Sequence, residues 1–320
     1  MRHLNLPGTV LAAPLAFALV GTALADPVTD AAGRNVDIPD DPQRIVVLHE
    51  PLIGVPLADF GIDPVGSWGR DDNGDTAMGV DFYASVLGDD APKPKGIGAV
   101  GDLDMERLRA LAPDLIIGSE IDAGRADQLS AIAPVYLQAV SSGTVRGFEP
   151  EAQLAALLNR EPAFQARQAE YRQKLEQVRA SVPDGGTYLA VIVHDKINLV
   201  GEMSGVVQAM EDLGYSRLPV EADGARNELG STFAVPISVE AFGRLNPDVL
   251  VILSSYAAAQ HDEAGTRAQL DRIMPQWERF LKPAKEGRVV WLESPSTATP
   301  SVASAEHTLD AVQAWASGRD

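Results

Sequence analysis

Glu106-Arg107-Leu108-Arg109-Ala110-Leu111-Ala112-Pro113-Asp114-Leu115-Ile116-Ile117 has a second copy downstream, Glu240-Ala241-Phe242-Gly243-Arg244-Leu245-Asn246-Pro247-Asp248-Val249-Leu250-Val251. In each, a glutamate opens a short amphipathic helix, and Pro-Asp arrives seven residues later. Proline lacks the N–H that a helix needs, so the helix stops there. The Leu- and Val/Ile-rich run that follows reads as a buried strand. A second echo supports the repeat. Leu57-Ala58-Asp59-Phe60-Gly61-Ile62 matches Met210-Glu211-Asp212-Leu213-Gly214-Tyr215, each a helix closed by glycine. Two separated copies of one α/β unit imply two similar lobes.

The flanking pattern agrees. Around Thr29–Arg34 a turn joins an edge ribbon in which Val36 and Ile38 alternate. Arg44-Ile45-Val46-Val47-Leu48 is a strand, residues 51–60 a helix, and Pro64-Val65-Gly66 a further strand. Residues 69–95 are polar and rich in Gly, Pro and Asp, so mostly loop is expected there. Strands alternating with helices give mainly parallel, Rossmann-like sheets covered on both faces. Residues 150–182 carry no strand signal. Phe164, Tyr171, Leu175, Val178 and Val182 recur at helical spacing over about five turns. The expected fold is therefore α/β, with two lobes joined by one long bridging helix. The expected boundaries are 26–149 for the first lobe, 150–183 for the helical connector and 184–320 for the second lobe. One stiff connector implies a small closure motion.

Residues 1–25 have the form of a secretory signal peptide. A weakly basic start precedes an apolar Val10–Val20 stretch, and Ala23-Leu24-Ala25 is a small-x-small cleavage site. The chain contains no cysteine. That excludes disulfides, thiolate metal sites, a cysteine nucleophile and a lipidated cysteine anchor. A free, exported protein is expected, and the periplasm is its natural compartment. The formal charge of −19 would repel phosphate and argues against nucleic acid as a partner. There is no Gly-x-Ser-x-Gly elbow, phosphate loop or dinucleotide fingerprint, so no enzyme class is indicated and no cofactor is expected.

The order and spacing of these stretches resemble a known family. They are Asp30-Ala31-Ala32-Gly33-Arg34 with Pro42-Gln43-Arg44-Ile45-Val46, Gly61…Pro64-Val65-Gly66, Val100-Gly101 leading into Glu106…Pro113-Asp114, Gly214, and Glu240…Pro247-Asp248. Together they resemble the helix-bridged periplasmic substrate-binding proteins that serve ferric siderophore, haem and vitamin B12 ABC importers. The resemblance implies a monomer that captures a ferric siderophore in the interlobe cleft, with iron present only as part of the chelate. A haem or corrinoid ligand is the alternative within the class, and an α/β enzyme using the cleft the alternative outside it. The resemblance also implies that Glu106 and Glu240 dock onto arginines of an inner-membrane permease dimer. A first-turn glutamate suits that role because the helix dipole favours its charge and arginine meets it in a planar, charge-assisted contact.

Ligands of parallel sheets bind beyond the carboxyl ends of the strands. That rule selects His49, Trp68, Arg70, His194 and Tyr256, with Arg226 on a loop that reaches toward the cleft. Arg70 is the only basic residue from Asp59 to Asp90, among eight acids. It either holds a chelate's anionic oxygens or pairs with Asp71 or Asp72. Trp68 either stacks on the chelate or closes the core. His49 and His194 follow the first strand of each lobe, and each precedes an acid. They are read as ligand contacts; a zinc or manganese site with their carboxylate neighbours is the competing reading.

Overall fold

A computed structural model describes residues 27–318, apart from 100, 184, 222–224 and 228–230. The signal-peptide expectation lies outside the described residues. Among the described residues no helix is long and apolar enough to cross a membrane.

The chain builds two main sheets. The first is all parallel, in the order Lys95–Gly96, Gly66–Ser67, Ile45–Val47, Leu115–Ser119, Val135–Gln138. The second runs Val235–Ile237, Ile197–Leu199, Thr187–Val193, Val249–Ser254, Val289–Leu292, with Ser216–Arg217 also on Thr187–Val193. Here Ile197–Leu199 is antiparallel to both neighbours, and the other pairings are parallel. The edge ribbon forms as expected from Val28–Thr29 and Asn35–Val36.

Burial follows the two-residue period of a strand. Ile45, Val47, Leu115 and Ile117 face one apolar cluster, while Val46, Leu48 and Ile116 face another. In the second sheet Tyr188, Ala190, Ile192, Val251 and Leu253 join that same first cluster, and Leu189, Val191, Leu250 and Ile252 turn away. One face of each sheet therefore drains into a single shared core. Both strand runs are apolar without interruption because both of their faces are covered.

The Pro-Asp pairs have a structural task that their sequence does not state. Asp114 accepts hydrogen bonds from the N–H groups of Gln43 and Arg44 at 2.7 and 2.9 Å, just before Ile45–Val47 begins. Asp248 accepts from the Thr187 N–H and hydroxyl at 2.8 and 2.9 Å, at the start of the corresponding strand. Each aspartate thus pins its own strand beside the first strand of its sheet. The Thr187 N–H and hydroxyl bonds, with Arg288 nearby, hold the Asp248 carboxyl below its ordinary range.

The long helix spans Glu161–Arg179 and buries Phe164, Tyr171, Leu175 and Val178 in the shared core. The two Gly-closed helices, Val55–Asp59 and Gly205–Asp212, meet it through equivalent aspartates. Arg167 donates to Asp59 at 2.8 Å, and one turn later the Tyr171 hydroxyl donates to Asp212 at 2.7 Å. Gly61 and Gly214 sit at φ +91° and +96°, the left-handed region that glycine adopts without penalty. The bonds from Ile62 N–H to Leu57 O and from Tyr215 N–H to Met210 O then close both helices.

A further junction lies at the start of the last helix, Val302–Ser317. Glu151, on helix Glu149–Leu157, accepts from Val302 N–H at 2.6 Å, and Asp59 accepts from Ala303 N–H at 2.7 Å. Glu151 is fully buried and its other oxygen has no partner. Burial, aided by nearby Asp59, pushes its carboxyl well above the ordinary value. A carboxyl raised by folding favours the folded state at low pH and loses that contribution as pH rises above the unfolded value of about 4.3. Glu151→Gln should therefore be more stable than wild type at pH 8, with the difference shrinking toward zero below about pH 4. Urea unfolding across that range checks this; a variant weaker at every pH would mean that the charged carboxylate serves the helix end.

Residues 69–95 are mostly loop, as expected, with one helix, Phe82–Leu87, capped by Asp81, whose side chain accepts from Ala84 N–H. Its apolar residues Phe82, Tyr83 and Val86 form a small core with Val55 and Ala303. The expected helix at 51–60 begins as a wide turn over Glu50–Gly54 and becomes regular only at Val55–Asp59.

Candidate functional site

The C-terminal edges of the parallel strands carry the expected groups, and the structure sorts them. Arg70 is buried at 2% exposure, and all five of its N–H donors are taken. Nε and Nη2 donate to Glu50 at 2.6 and 2.9 Å. Nη2 and Nη1 donate to Asp81 at 2.5 and 3.2 Å, and Nη1 also reaches the Gly74 carbonyl at 2.7 Å. The Tyr83 ring lies 5.0 Å from the guanidinium carbon. Gly96 lets the Arg70 backbone pass, since a Cβ there would sit 1.7 Å from the Arg70 carbonyl oxygen. Burial pushes Glu50 up, against the pull of Arg70. At Asp81 burial also works upward, but the bonds from Arg70 and Ala84 N–H outweigh it and the carboxyl lies below its usual range. Arg70 is thus a filled structural cation, with no N–H left for a ligand. Neither Asp71 nor Asp72 is its side-chain partner. Asp71 caps the N–H groups of Asn73 and Asp75, and Asp72 pairs with Arg107.

Trp68 is also corrected. It is 6% exposed, packs with Val46, Leu48 and Ile97, and carries the Arg125 guanidinium 5.1 Å from its ring centre. It is not an open stacking face. Arg226 is committed elsewhere: it donates to the carbonyls of Ser141 and Ser142 at 3.4 and 2.7 Å. Together with Thr232 N–H on Ser141 O, this ties the second sheet's loop to the segment after Val135–Gln138.

The two histidines lie in unlike surroundings. His49 has Nδ1 enclosed without a partner, and burial pushes its imidazole down to about 4, so it is neutral. His194 is half-exposed, with Nδ1 3.4 Å from Asp195, and its carbonyl accepts from the Gln269 side chain. Among the described residues no group of three or more His, Asp or Glu is placed to hold a metal ion. Tyr256 stands 54% exposed, with its ring 6.3 Å from that of Phe82, so it reaches from the second sheet to the first half of the chain.

Three residues at these edges went unselected in the sequence. Ile121 is 55% exposed, two positions past Ser119, as Tyr256 is two positions past Ser254. Each stands two positions past the end of its strand. Arg125 lies on the same turn, Glu120–Arg125, above Trp68, with Asp122 3.7 Å away. Applying the strand-end rule to Leu115–Ser119 as well would have found both. Arg272 is the third, nine residues into helix Glu263–Ile273, where no sequence signal marks it.

Glu106 and Glu240 are exposed, in the first turns of Met105–Ala110 and Val239–Phe242. Asp104 and Ser238 cap these helices, and Leu108 and Phe242 anchor them in the core. Asp104 N–H bonds Ile97 O, just past the end of Lys95–Gly96. Asp114 binds the opposite, N-terminal edge, so the first helix starts at the strands' C-terminal edge. Ser238 follows Val235–Ile237, which two antiparallel steps make parallel to Thr187–Val193. Both glutamates therefore stand at the edge formed by the strands' C-terminal ends. Neither forms an ion pair with the described residues.

This chain belongs to the periplasmic binding protein family, whose profile matches residues 75–295. Similar proteins include the ferric-anguibactin-binding protein of Vibrio anguillarum, 23% identical over 211 residues that make up 63% of each chain. A probable siderophore-binding lipoprotein of Bacillus subtilis is 24% identical over 90% of this chain and 86% of its own. Among solved structures, Staphylococcus aureus SirA complexed with staphyloferrin B superposes with a TM-score of 0.62 at 18% identity, covering 89% of this chain and 95% of that one. The petrobactin-binding protein of Bacillus subtilis gives 0.63 at 19%, covering 91% and 98%. At such identities these structures establish the shared fold.

Proposed function

We propose that the chain captures a ferric siderophore between its two halves and delivers it to an ABC importer of the inner membrane. The repeat carries this reading. Each half presents an exposed apolar side chain, Ile121 or Tyr256, and an exposed first-turn glutamate, Glu106 or Glu240, at the same sheet edge. A ligand between the edges meets the first pair, and a two-fold permease meets the second. Relatives named for ferric anguibactin and petrobactin supply the ligand class. Residues 26–149 and 184–320 act as the lobes, with 150–183 as the connector. The shared core and the Arg167 and Tyr171 contacts support a small closure. Tyr256, Ile121, Arg125 and His194 line the ligand path, with neutral His49 behind them. No reaction is catalysed; the protein acts as a monomer, exported and trimmed after Ala25.

Titration with ferric chelates tests the capture. Trp68 lies beside the path under Arg125. Its fluorescence should be quenched saturably, one chelate per chain, with the chelate recovered intact. Quenching by haem or a corrinoid alone would replace the siderophore, and turnover of the chelate would replace the binding role.

A further inference from the structure

Behind the Tyr256 loop the second half of the chain holds a pocket of about 590 Å³. Its walls include His194 at the end of Thr187–Val193, Ser255 past Val249–Ser254, Gln260, and Thr266, Gln269 and Arg272 of helix Glu263–Ile273. The volume lies in the range that holds a multi-atom organic group. Among the described residues no carboxylate lines it. Of the acids nearest in sequence, Asp271 is exposed and outside this wall, and the others are engaged locally. Asp262 caps Gly265 N–H at 2.9 Å, Glu263 pairs with Arg267 at 2.6 Å, and Asp195 lies beside His194.

Arg272 is the cation of this pocket, and it contrasts with Arg70. One of its N–H groups donates to the Gln269 side-chain oxygen, and the Gln269 amide in turn donates to the His194 carbonyl. Those contacts place the exposed guanidinium beside the strand end. Arg272 forms no ion pair with the described residues, so the rest of its donor fork is open. A planar fork with no acid partner suits a carboxylate, which it can meet with two parallel hydrogen bonds.

We infer that this pocket receives a free carboxylate arm of the bound ferric chelate, with Arg272 as its anchor. The inference rests on the chelate-capture reading and narrows it. A hydroxamate or catecholate gives its anionic oxygens to iron and has none left for a distant guanidinium. A chelator with a spare carboxylate keeps one. The iron centre then lies between the halves, near Tyr256 and Ile121, while the arm reaches behind the Tyr256 loop.

Two probes separate the possibilities: ferric citrate, which carries carboxylates, and ferric desferrioxamine B, which has none. Calorimetry on wild type should show ferric citrate binding. Arg272→Gln should weaken it by roughly 10- to 100-fold, the equivalent of losing a hydrogen bond to a charged group. Arg272→Lys, which keeps the charge without the fork, should recover part of the loss. Affinity for ferric desferrioxamine B, where measurable, should not change, and the exposed site should leave the melting temperature unmoved. An unchanged ferric citrate affinity in Arg272→Gln would overturn the inference, and so would equal losses for both probes. A wild type that takes ferric desferrioxamine B but not ferric citrate would overturn the inference while chelate capture stands. A wild type that takes neither would count against both.

Discussion

Replacing Arg70 with alanine should lower the unfolding free energy by about 3–5 kcal/mol, the cost of removing one partner from a buried ion pair. The guanidinium is 2% exposed and supplies every hydrogen bond it can make. Its removal strands Glu50, itself 2% exposed, leaves Asp81 with only its helix-capping bond, and empties the space against Tyr83. Three elements lose their common partner: the turn after Ile45–Val47, the segment after Gly66–Ser67, and helix Phe82–Leu87. The deficit should depend on pH. Burial already raises Glu50 in the presence of Arg70, and without the cation it rises further. A carboxyl raised by folding favours the folded state below its unfolded value and loses that contribution as pH rises. The variant should therefore lag wild type most at neutral and alkaline pH and least near pH 4. Urea unfolding at several pH values measures this. A variant as stable as wild type that has lost chelate affinity would return Arg70 to the ligand site.

Arg70 also shows where sequence reasoning stops. In the chain its neighbours are Asp71 and Asp72, so a lone cation among acids reads as either a ligand group or a local pair. Its partners are Glu50 and Asp81, 20 and 11 residues away, brought in by a strand-end turn and a helix that the polar composition of 69–95 concealed. The α/β repeat was legible because its signals are local. Glu…Pro-Asp, the β-branched run and the Gly closure each act through their own backbone. The buried strands were legible for the same reason, since Ile45 to Leu48 is an uninterrupted apolar run. The site depends on contacts between distant segments. Trp68 could be read as a stacking face or as core until Arg125, from another strand end, covered it. Arg226 looked free until the carbonyls of Ser141 and Ser142 took its donors. Ile121 and Arg125 were within reach of the strand-end rule, whereas Arg272 becomes visible only when helix Glu263–Ile273 closes the pocket wall.

Changing both Glu106 and Glu240 to alanine should abolish uptake while leaving chelate affinity within a few-fold of wild type. Each carboxylate is exposed, sits in the first turn of a capped helix and lacks an ion-pair partner among the described residues. Surface changes away from such partners usually move stability by no more than about 0.5 kcal/mol, so both variants should melt with wild type. Their cost appears only against a partner. A carboxylate paired with arginine across an interface contributes roughly 1.5–3 kcal/mol, and two such pairs on one rigid body would weaken docking by several hundredfold or more. Each single variant should lose part of the transport rate, and raised salt should imitate the loss because exposed pairs are screened. Uptake of radiolabelled iron by cells carrying each variant, beside calorimetry on the purified proteins, separates docking from capture. Transport that survives the double change would remove both glutamates from the docking surface. A collapse of chelate affinity instead would place them in the wall of the cleft.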